Sequence, residues 1–219
     1  MIEHSTFQRS VERVRFRTEP AVFEFLIDHP DFAASVIREL QIAHYRITQR
    51  SDGKYDAEDL QGVRGSFQPF STERGERLYV GVGLYHSRYL PSFSGHAVMR
   101  LKYRPRLDSA GRPYIENHAD VYVRLDNGFV ALFARFLMPF LHRVVDQKVD
   151  LALSAAQQLS EQITMNPVAV YGRLKRSSVL DRETLEAFRQ LLDRDRQKAA
   201  RQMPEPRTQP SQARTVARW

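Results

Sequence analysis

Asn117 is the residue whose setting most directly suggests binding chemistry. It interrupts the otherwise apolar face of a predicted strand, whose other members are Ile115, Ala119, Val121, Val123 and Leu125. A buried amide needs hydrogen-bond partners. Asn117 therefore bonds either a ligand or a neighbouring side chain or trapped water, and the sequence leaves these roles open.

Two further polar side chains lie beside apolar segments. His86 lies on the same side of its predicted strand as the alternating apolar residues, at the rim of the expected pocket. There it either contacts a ligand or ends the strand in solvent. Arg135 interrupts an apolar helix start and either guards a pocket mouth or extends its head to water. The sequence thus offers isolated polar positions rather than a catalytic cluster.

The spacings that carry well-known chemistries are missing. The seven histidines form no HExxH pattern, and there is no cysteine, P-loop or GxSxG nucleophile elbow. The segment at 81–86, GVGLYH, lacks the third glycine of a dinucleotide loop and lies in a predicted strand. The adjacent carboxylates of Glu58 and Asp59 suit an exposed strand or loop. We therefore expect no metal, no cofactor and no identifiable catalytic residue.

Turn and periodicity signals give the order of the elements that would position these residues. A strand at 10–17 precedes two short helices, opened by Pro20 and Pro30. Six strands follow, and the last, at 114–125, has the longest period-two alternation. The other five are predicted at 43–48, 54–60, 63–70, 77–86 and 95–104.

A long amphipathic helix is predicted after Asn127, with a kink or a restart at Pro139. Its apolar stripe has helical spacing and comprises Leu137, Leu141, Val145, Val149, Ala152, Ala156, Leu159 and Ile163. Asp181 is expected to cap a further helix that ends near residue 201. The prolines at 204, 206 and 210 indicate a disordered end.

This order of elements resembles the START-like (SRPBCC) superfamily, which includes polyketide cyclases and pathogenesis-related proteins of birch-pollen-allergen type. The segment VRFRTEPAVFEFLIDHPDFAASVIREL looks like the family's opening strand and helix pair. The segment GFVALFARFLMPFLHRVVDQKVDLAL looks like its entry into the last helix. The resemblance covers residues 11–163 and implies an α+β helix-grip fold, with a curved seven-stranded antiparallel sheet wrapped on the long helix.

Members of this superfamily hold lipids, sterols and aromatic polyketides between sheet and helix. The resemblance implies binding or carriage of a hydrophobic, lipid-like molecule without catalysis. Two alternatives stay open: a cyclase or aromatase in which Asn117, Tyr103 or His86 assists proton transfer, and a protein-interaction module with a filled core. By this resemblance, the ligand-binding wall comprises Val80, Val82, Leu84, His86, Met99, Leu101, Tyr103, Asn117, Ala119, Val121, Leu141, Val145, Val149 and Ala152.

The positive charge of the chain is concentrated at its C-terminus. Residues 194–219 carry a net charge of +5 out of +7, which leaves +2 for residues 1–193. A nucleic-acid-binding face on the folded body is therefore not expected. The tail attracts anionic lipid headgroups, binds nucleic acid or is a solvated, disordered end.

Three regions are expected from these patterns: a ligand-binding domain at 1–163, a helical extension at 164–201 and a disordered basic tail at 202–219. The N-terminus has no apolar signal segment, and the apolar stretch at 129–141 is interrupted by Arg135 and Pro139. We expect a cytoplasmic protein, peripheral to the inner face of a membrane if the tail binds lipid.

Overall fold

A computed structural model describes residues 5–86 and 92–202, with backbone only for residues 71, 127–141 and 195–202. The elements follow the predicted order and confirm the α+β class. They are β1 (Phe7–Phe16), α1 (Pro20–Asp28), α2 (Pro30–Glu39), β2 (Arg46–Gln49), β3 (Tyr55–Glu58), β4 (Val63–Ser71), β5 (Glu76–Tyr85), β6 (Phe93–Leu107), β7 (Pro113–Leu125), α3 (Asn127–Met165), α4 (Pro167–Leu174) and α5 (Arg182–Gln202).

Local sequence signals explain most helix boundaries. Pro20 and Pro30 occupy the first turns of α1 and α2, where the missing N–H of proline costs nothing. The Asp181 carboxylate accepts a hydrogen bond from the backbone N–H of Thr184 at 2.8 Å, so it caps α5 as predicted. Helix α3 continues through position 139 without a restart. Helix α4, which begins at Pro167, was not predicted.

The seven strands form one antiparallel sheet in the order β1-β7-β6-β5-β4-β3-β2. All the connections after β2 join neighbouring strands, and β1 returns to pair with the last strand, β7. The face of the sheet that carries Tyr103 and Ile115 packs against α1 and α3, and we refer to it as the concave face. The opposite side is the outer face.

Ion pairs at the middle of α3 show how strongly the sheet curls. The Arg9 guanidinium on edge strand β1 lies 2.7 Å from Asp146 and 2.6 Å from Asp150. The ammonium of Lys148 lies 2.6 Å from Asp59, in the turn between β3 and β4. A single stretch of α3 is thus tied to two distant parts of the sheet, which wraps around the helix as the helix-grip arrangement requires.

Glycine permits the close approach of β4 and β5. A Cβ atom at Gly65 would lie 2.2 Å from the carbonyl oxygen of Val82, and one at Gly81 would lie 2.7 Å from that of Ser66. Both distances are far below a van der Waals contact, so any side chain at these positions would push the strands apart. The tight curl of this part of the sheet therefore depends on glycine.

Two groups of buried side chains form the core. A smaller group lies between the concave face, α1 and α3, and a larger group joins α1 and α2 to the end of α3 and to the C-terminal helices. The first contains Phe16, Phe23, Tyr103 and Ile115. The second contains Val22, Leu26, Phe32, Val36, Leu40, Leu159, Ile163, Val170, Leu174, Leu180, Leu185, Phe188 and Leu192. The extension after residue 163 thus packs on the opening helix pair.

Candidate functional site

The strand register brings six of the predicted wall residues together on the concave face. Tyr103 pairs with Asn117, Leu101 with Ala119, and Met99 with Val121 across β6 and β7. Directly paired residues project to the same side of a sheet. The predicted grouping of these six side chains is correct, while their contact with a ligand stays a prediction.

The three predicted wall residues from β5 lie on the other side of the sheet. The register sets Tyr79 opposite Met99, which turns the alternate side chains of β5 to the outer face. There Val80, Val82 and Leu84 are 37%, 49% and 41% exposed. Their predicted placement beside Met99 is therefore wrong.

The pattern of β5 explains this error. Aliphatic alternation in a strand normally indicates the buried face, but here the concave side carries Tyr79, Gly81, Gly83 and Tyr85. Gly81 is required where β4 approaches closely, whereas a Cβ atom at Gly83 would lie 3.9 Å from the carbonyl oxygen of Arg64. The two glycines make the concave positions look less apolar than the outer ones. The flanking tyrosines at the same parity were the signal that could have identified the concave face.

The long helix presents a partly different set of residues from the one predicted. Val145 and Val149 are half-buried, in agreement with the predicted stripe. Ala152 is exposed, whereas Leu153 packs against the core group of the concave face. The placement of Ala152 in the wall is therefore wrong. The inward-facing stripe of the helix is shifted by one residue from the predicted one, so that Leu153 takes the place assigned to Ala152. The side chain of Leu141 lies outside the described residues.

His86 lies just past the end of β5 and is exposed. One ring nitrogen, Nδ1, lies 2.7 Å from the hydroxyl of Ser92, and its backbone N–H donates to the carbonyl of Gly62 at 2.8 Å. These contacts join the end of β5 to the neighbouring loops. They place His86 at the end of β5, and its role in binding stays a prediction.

One end of the concave face is closed. Tyr103 and Asn117 are each 3% exposed and Ile115 is fully buried. The Asn117 amide donates weak hydrogen bonds to the carbonyls of Val14 and Ile115 at 3.4 and 3.3 Å. Its oxygen, Oδ1, is buried without a hydrogen-bond partner among the described residues. A buried acceptor left in this state is unusual and is available to a donor.

The other end of the concave face is more open. Met99 and Val121 are half-buried, although they occupy the middle strands of a seven-stranded sheet. Phe67 and Tyr79, which the sequence prediction missed, continue this surface across β4 and β5 with ring centroids 6.1 Å apart. Tyr55 stacks on Phe67 at 5.4 Å and ends the aromatic row.

Polar side chains of the concave face mostly anchor α1. The Arg77 guanidinium donates to both carboxylate oxygens of Asp28, at 2.8 and 3.1 Å. The Tyr79 hydroxyl donates to the carbonyl of Ile27 at 3.3 Å, and the Tyr103 hydroxyl lies 3.2 Å from the Glu24 carboxylate. The site is therefore held rigidly at its α1 side.

Burial sets the protonation of the two phenols. It raises the pKa of Tyr79, and the nearby Asp28 carboxylate adds to this effect. Burial also raises the pKa of Tyr103, since the opposing effect of Arg77 is the smaller one. Both groups therefore stay protonated at neutral pH and act as hydrogen-bond donors rather than as bases.

The outer face carries a shallow groove of about 620 Å³ around the misassigned residues of β5. Val82 and Leu84 supply its apolar floor, and Arg46 and Glu58 form an ion pair of 3.7 Å at its border. Across residues 5–86 and 92–202, no group of three or more histidine, aspartate or glutamate side chains could hold a metal ion. Nor does any helix in the described part of the chain have the length and apolarity needed to span a membrane.

No protein-family model matches the chain, and no curated protein sequence matches it either. Among solved structures, a conserved protein from Geobacillus kaustophilus is similar with a TM-score of 0.47 and 10% identity, over 71% of this chain and 97% of that one. An uncharacterized protein from Rhizobium leguminosarum has a TM-score of 0.40 and 13% identity, over 71% and 95%.

A further similar structure is Ara h 8.0201, with a TM-score of 0.33 and 13% identity. The match covers 71% of this chain and 99% of that one. At TM-scores this low, the similarities carry no argument about family or function.

Proposed function

We propose that the protein binds or carries a hydrophobic, lipid-like molecule between the concave face and α3, without catalysing a reaction on it. The contrast along the concave face is the observation that carries this proposal. Tyr103 and Ile115 are 3% and 0% exposed, whereas Met99 and Val121 remain half-buried. Because a filled core packs closely, this half-buried end is where another molecule would pack against the sheet.

The chemistry of the surface suits such a ligand. Ligand pockets are mainly apolar and contain a few fixed polar groups. Met99, Val121 and Phe67 supply the apolar part, and Asn117 Oδ1 is a buried acceptor without a partner among the described residues. A ligand that reaches from the open end past Ala119 would satisfy this oxygen with a hydroxyl or amide group.

Binding without reaction is favoured over the cyclase or aromatase alternative by the state of the phenols. Acid–base catalysis near neutral pH needs a group that titrates there. The raised pKa values of Tyr79 and Tyr103 keep both phenols protonated at neutral pH, so neither acts as a base there. His86, which the sequence also suggested for proton transfer, is exposed at the end of β5, and the side-chain amide of Asn117 does not titrate in this range.

The interaction-module alternative has one observation in its favour. Phe70, Val80, Val82 and Leu84 form an exposed apolar row on the outer face. Soluble monomers rarely expose a large contiguous apolar patch without a function. A module of this kind would use the outer face and would leave the concave face filled by its own side chains.

Native mass spectrometry of protein purified without detergent separates these alternatives. We expect an added mass that lipid extraction removes and identifies. Val121→Phe should abolish the added mass by filling the open end. Protein that carries no added mass, together with a large loss of melting temperature in Val121→Phe, would contradict the ligand proposal and support a filled core.

We also propose an anionic membrane surface as a partner of the basic tail. This tail lies beyond residue 202, outside the described residues. Each basic residue near such a surface contributes roughly 1 kcal/mol of attraction.

A further inference from the structure

The β6–β7 hairpin extends beyond the strands on either side of it. Strand β5 pairs with β6 as far as Lys102, and β1 pairs with β7 as far as Ile115. The hairpin continues to the pair Leu107–Pro113. Its tip is therefore an arm that projects from the end of the sheet.

The turn of this arm is firmly ordered by Asp108. One carboxylate oxygen accepts from the backbone N–H groups of Ala110 and Arg112, both at 2.9 Å, and the other accepts from the Arg112 side chain at 2.8 Å. These hydrogen bonds lower the pKa of Asp108. The residues next to the turn are thus presented on a stable scaffold.

Unpaired cations line the arm. Arg104 and Arg106 alternate along β6 on its outer face and are exposed. Neither forms an ion pair with a described residue, and the same holds for the side chain of Arg17 at the end of β1. The carboxylate of Glu116, which lies opposite Arg104 on β7, is paired with Arg15 at 3.7 Å. The outer side of the arm therefore carries excess positive charge.

Large apolar side chains are exposed at the same end of the molecule. Leu107 is 69% exposed beside the turn, and Met165, at the end of α3, is 84% exposed. A groove of about 890 Å³ separates the arm from the end of α3, and Met165 and Arg17 both line it. Three acidic residues, Glu19, Asp108 and Glu161, also line this groove, and the Asp108 carboxylate is paired with Arg112.

We propose that this end of the folded body docks onto an anionic lipid surface. Arginines at the level of the headgroups would attract the surface, while Leu107 and Met165 would enter the boundary of the acyl chains. A single-stranded nucleic acid would also be attracted by Arg104 and Arg106 but would gain little from the exposed leucine. The proposal concerns a different surface from the tail and does not depend on a ligand at the concave face.

Vesicle co-sedimentation of the full-length protein tests this docking. The probes are mixed phosphatidylcholine–phosphatidylglycerol vesicles and pure phosphatidylcholine vesicles. Arg104→Gln combined with Arg106→Gln should weaken binding to the anionic vesicles by roughly tenfold to thirtyfold at low salt. Leu107→Ser should weaken it by up to roughly tenfold, with a loss that persists at high salt because it is not electrostatic.

Matched controls remove the same groups from the opposite end of the sheet. Arg64→Gln combined with Arg124→Gln removes two exposed cations, and Leu60→Ser removes a leucine that is 54% exposed. Both controls should bind like the parent protein. All the variants keep the tail, so its contribution is common to every measurement.

Equal losses in the test and control variants would overturn the proposal, as would unchanged binding in the arm variants or no vesicle binding by the parent. Fluorescence anisotropy with a labelled single-stranded oligonucleotide distinguishes the rival partner. If Arg104→Gln/Arg106→Gln lost oligonucleotide affinity while vesicle binding stayed at the parent level, the arm would bind nucleic acid instead. Circular dichroism melting verifies that each variant is folded.

Discussion

Lys148 Nζ lies 2.6 Å from Asp59 Oδ2, which joins the middle of α3 to the turn between β3 and β4. The two side chains are only 24% and 11% exposed, so water screens this pair less than it screens a surface pair. The Asp59 carboxylate also accepts from the backbone N–H groups of Gln61 and Val63 at 2.8 and 2.9 Å. The pair is therefore expected to hold α3 against the sheet.

Lys148→Met is predicted to lower the free energy of unfolding by about 1–3 kcal/mol, because it leaves a mostly buried carboxylate without its counter-ion. Urea unfolding provides the measurement, and Lys148→Met/Asp59→Asn completes a double-mutant cycle. Lys54→Met is the control, since its pair with Asp52 is exposed and 3.6 Å long. A cost no greater than that of the control would mean that the pair does not hold the helix.

The concave face should respond to added volume in two different ways. Val121→Phe extends into the half-buried end and should lower the melting temperature little while it blocks ligand binding. Ala119→Phe, one pair away and only 7% exposed, should destabilise the fold by about 1–3 kcal/mol through overpacking. Ala152→Trp is the control on α3: this position is exposed, so neither stability nor binding should change.

Differential scanning fluorimetry and ligand-loaded native mass spectrometry together measure these effects. A similar, large destabilisation by both phenylalanine substitutions would show that the two ends are equally filled. That result would count against the cavity and in favour of the interaction module.

Alternation along strands predicted the fold better than it predicted the wall of the site. The pattern of β7 placed Asn117, Ala119 and Val121 on one face, and the register agrees. The same reasoning failed for Val80 because apolar residues occupy the outer face of β5. Parity shows which residues share a face of one strand, but only pairing with the next strand shows which face that is.

Helix periodicity had a comparable limit. The apolar stripe of α3 identified Val145, Val149, Leu159 and Ile163 as inward residues, but it chose Ala152 where Leu153 packs inward. Spacings of three and four residues both fit a period of 3.6, so a stripe this long can shift by one position. The net charge of +2 for residues 1–193 likewise gave no sign of the exposed arginines on the β6–β7 arm, because a net charge does not show where the charges lie.

Asn117→Ala is predicted to have a larger effect on ligand binding than on the ligand-free fold. The amide donates only long hydrogen bonds, to the carbonyls of Val14 and Ile115, and its oxygen has no partner among the described residues. Loss of the side chain should therefore cost about 1 kcal/mol of stability, and about 1–3 kcal/mol of affinity if a ligand bonds Oδ1. Unchanged affinity, measured by titration calorimetry with the extracted ligand, would assign Asn117 to a structural role.

Asp120 should give the outer face a pH-dependent contribution to stability. Burial alone would raise the pKa of its carboxyl, but hydrogen bonds from Ser10 and Arg100 and the nearby His118 lower the pKa overall. A lowered pKa in the folded state means that the unfolded chain takes up a proton first as the pH falls. The contribution is therefore present at neutral pH, where the unfolded carboxyl is also ionised, and is lost progressively below about pH 4.

Asp120→Asn is expected to be less stable than the parent at pH 7 and to approach it at pH 3. Urea midpoints measured across this range test the sign. Asp56→Asn is a suitable control, because that carboxylate is 59% exposed and lies 3.6 Å from Arg50. A difference between Asp120→Asn and the parent that stayed constant with pH would contradict the linkage.

The final prediction separates the tail from the folded body. Removal of residues 202–219 deletes Arg207, Arg214 and Arg218 together with a single acidic residue, Glu205. The truncated protein is expected to melt like the full chain, because Leu192 of α5 is the last buried core residue among the side chains that the structure describes. It should bind anionic vesicles more weakly at low salt, and the difference should shrink as salt shortens the screening length to ~8 Å near physiological ionic strength.

The substitutions Arg104→Gln and Arg106→Gln in the truncated chain should weaken binding further, since the arm and the tail are separate surfaces. Equal vesicle binding by the full and truncated chains would remove the membrane role of the tail, and a marked fall in melting temperature would show instead that the deleted segment packs on the body.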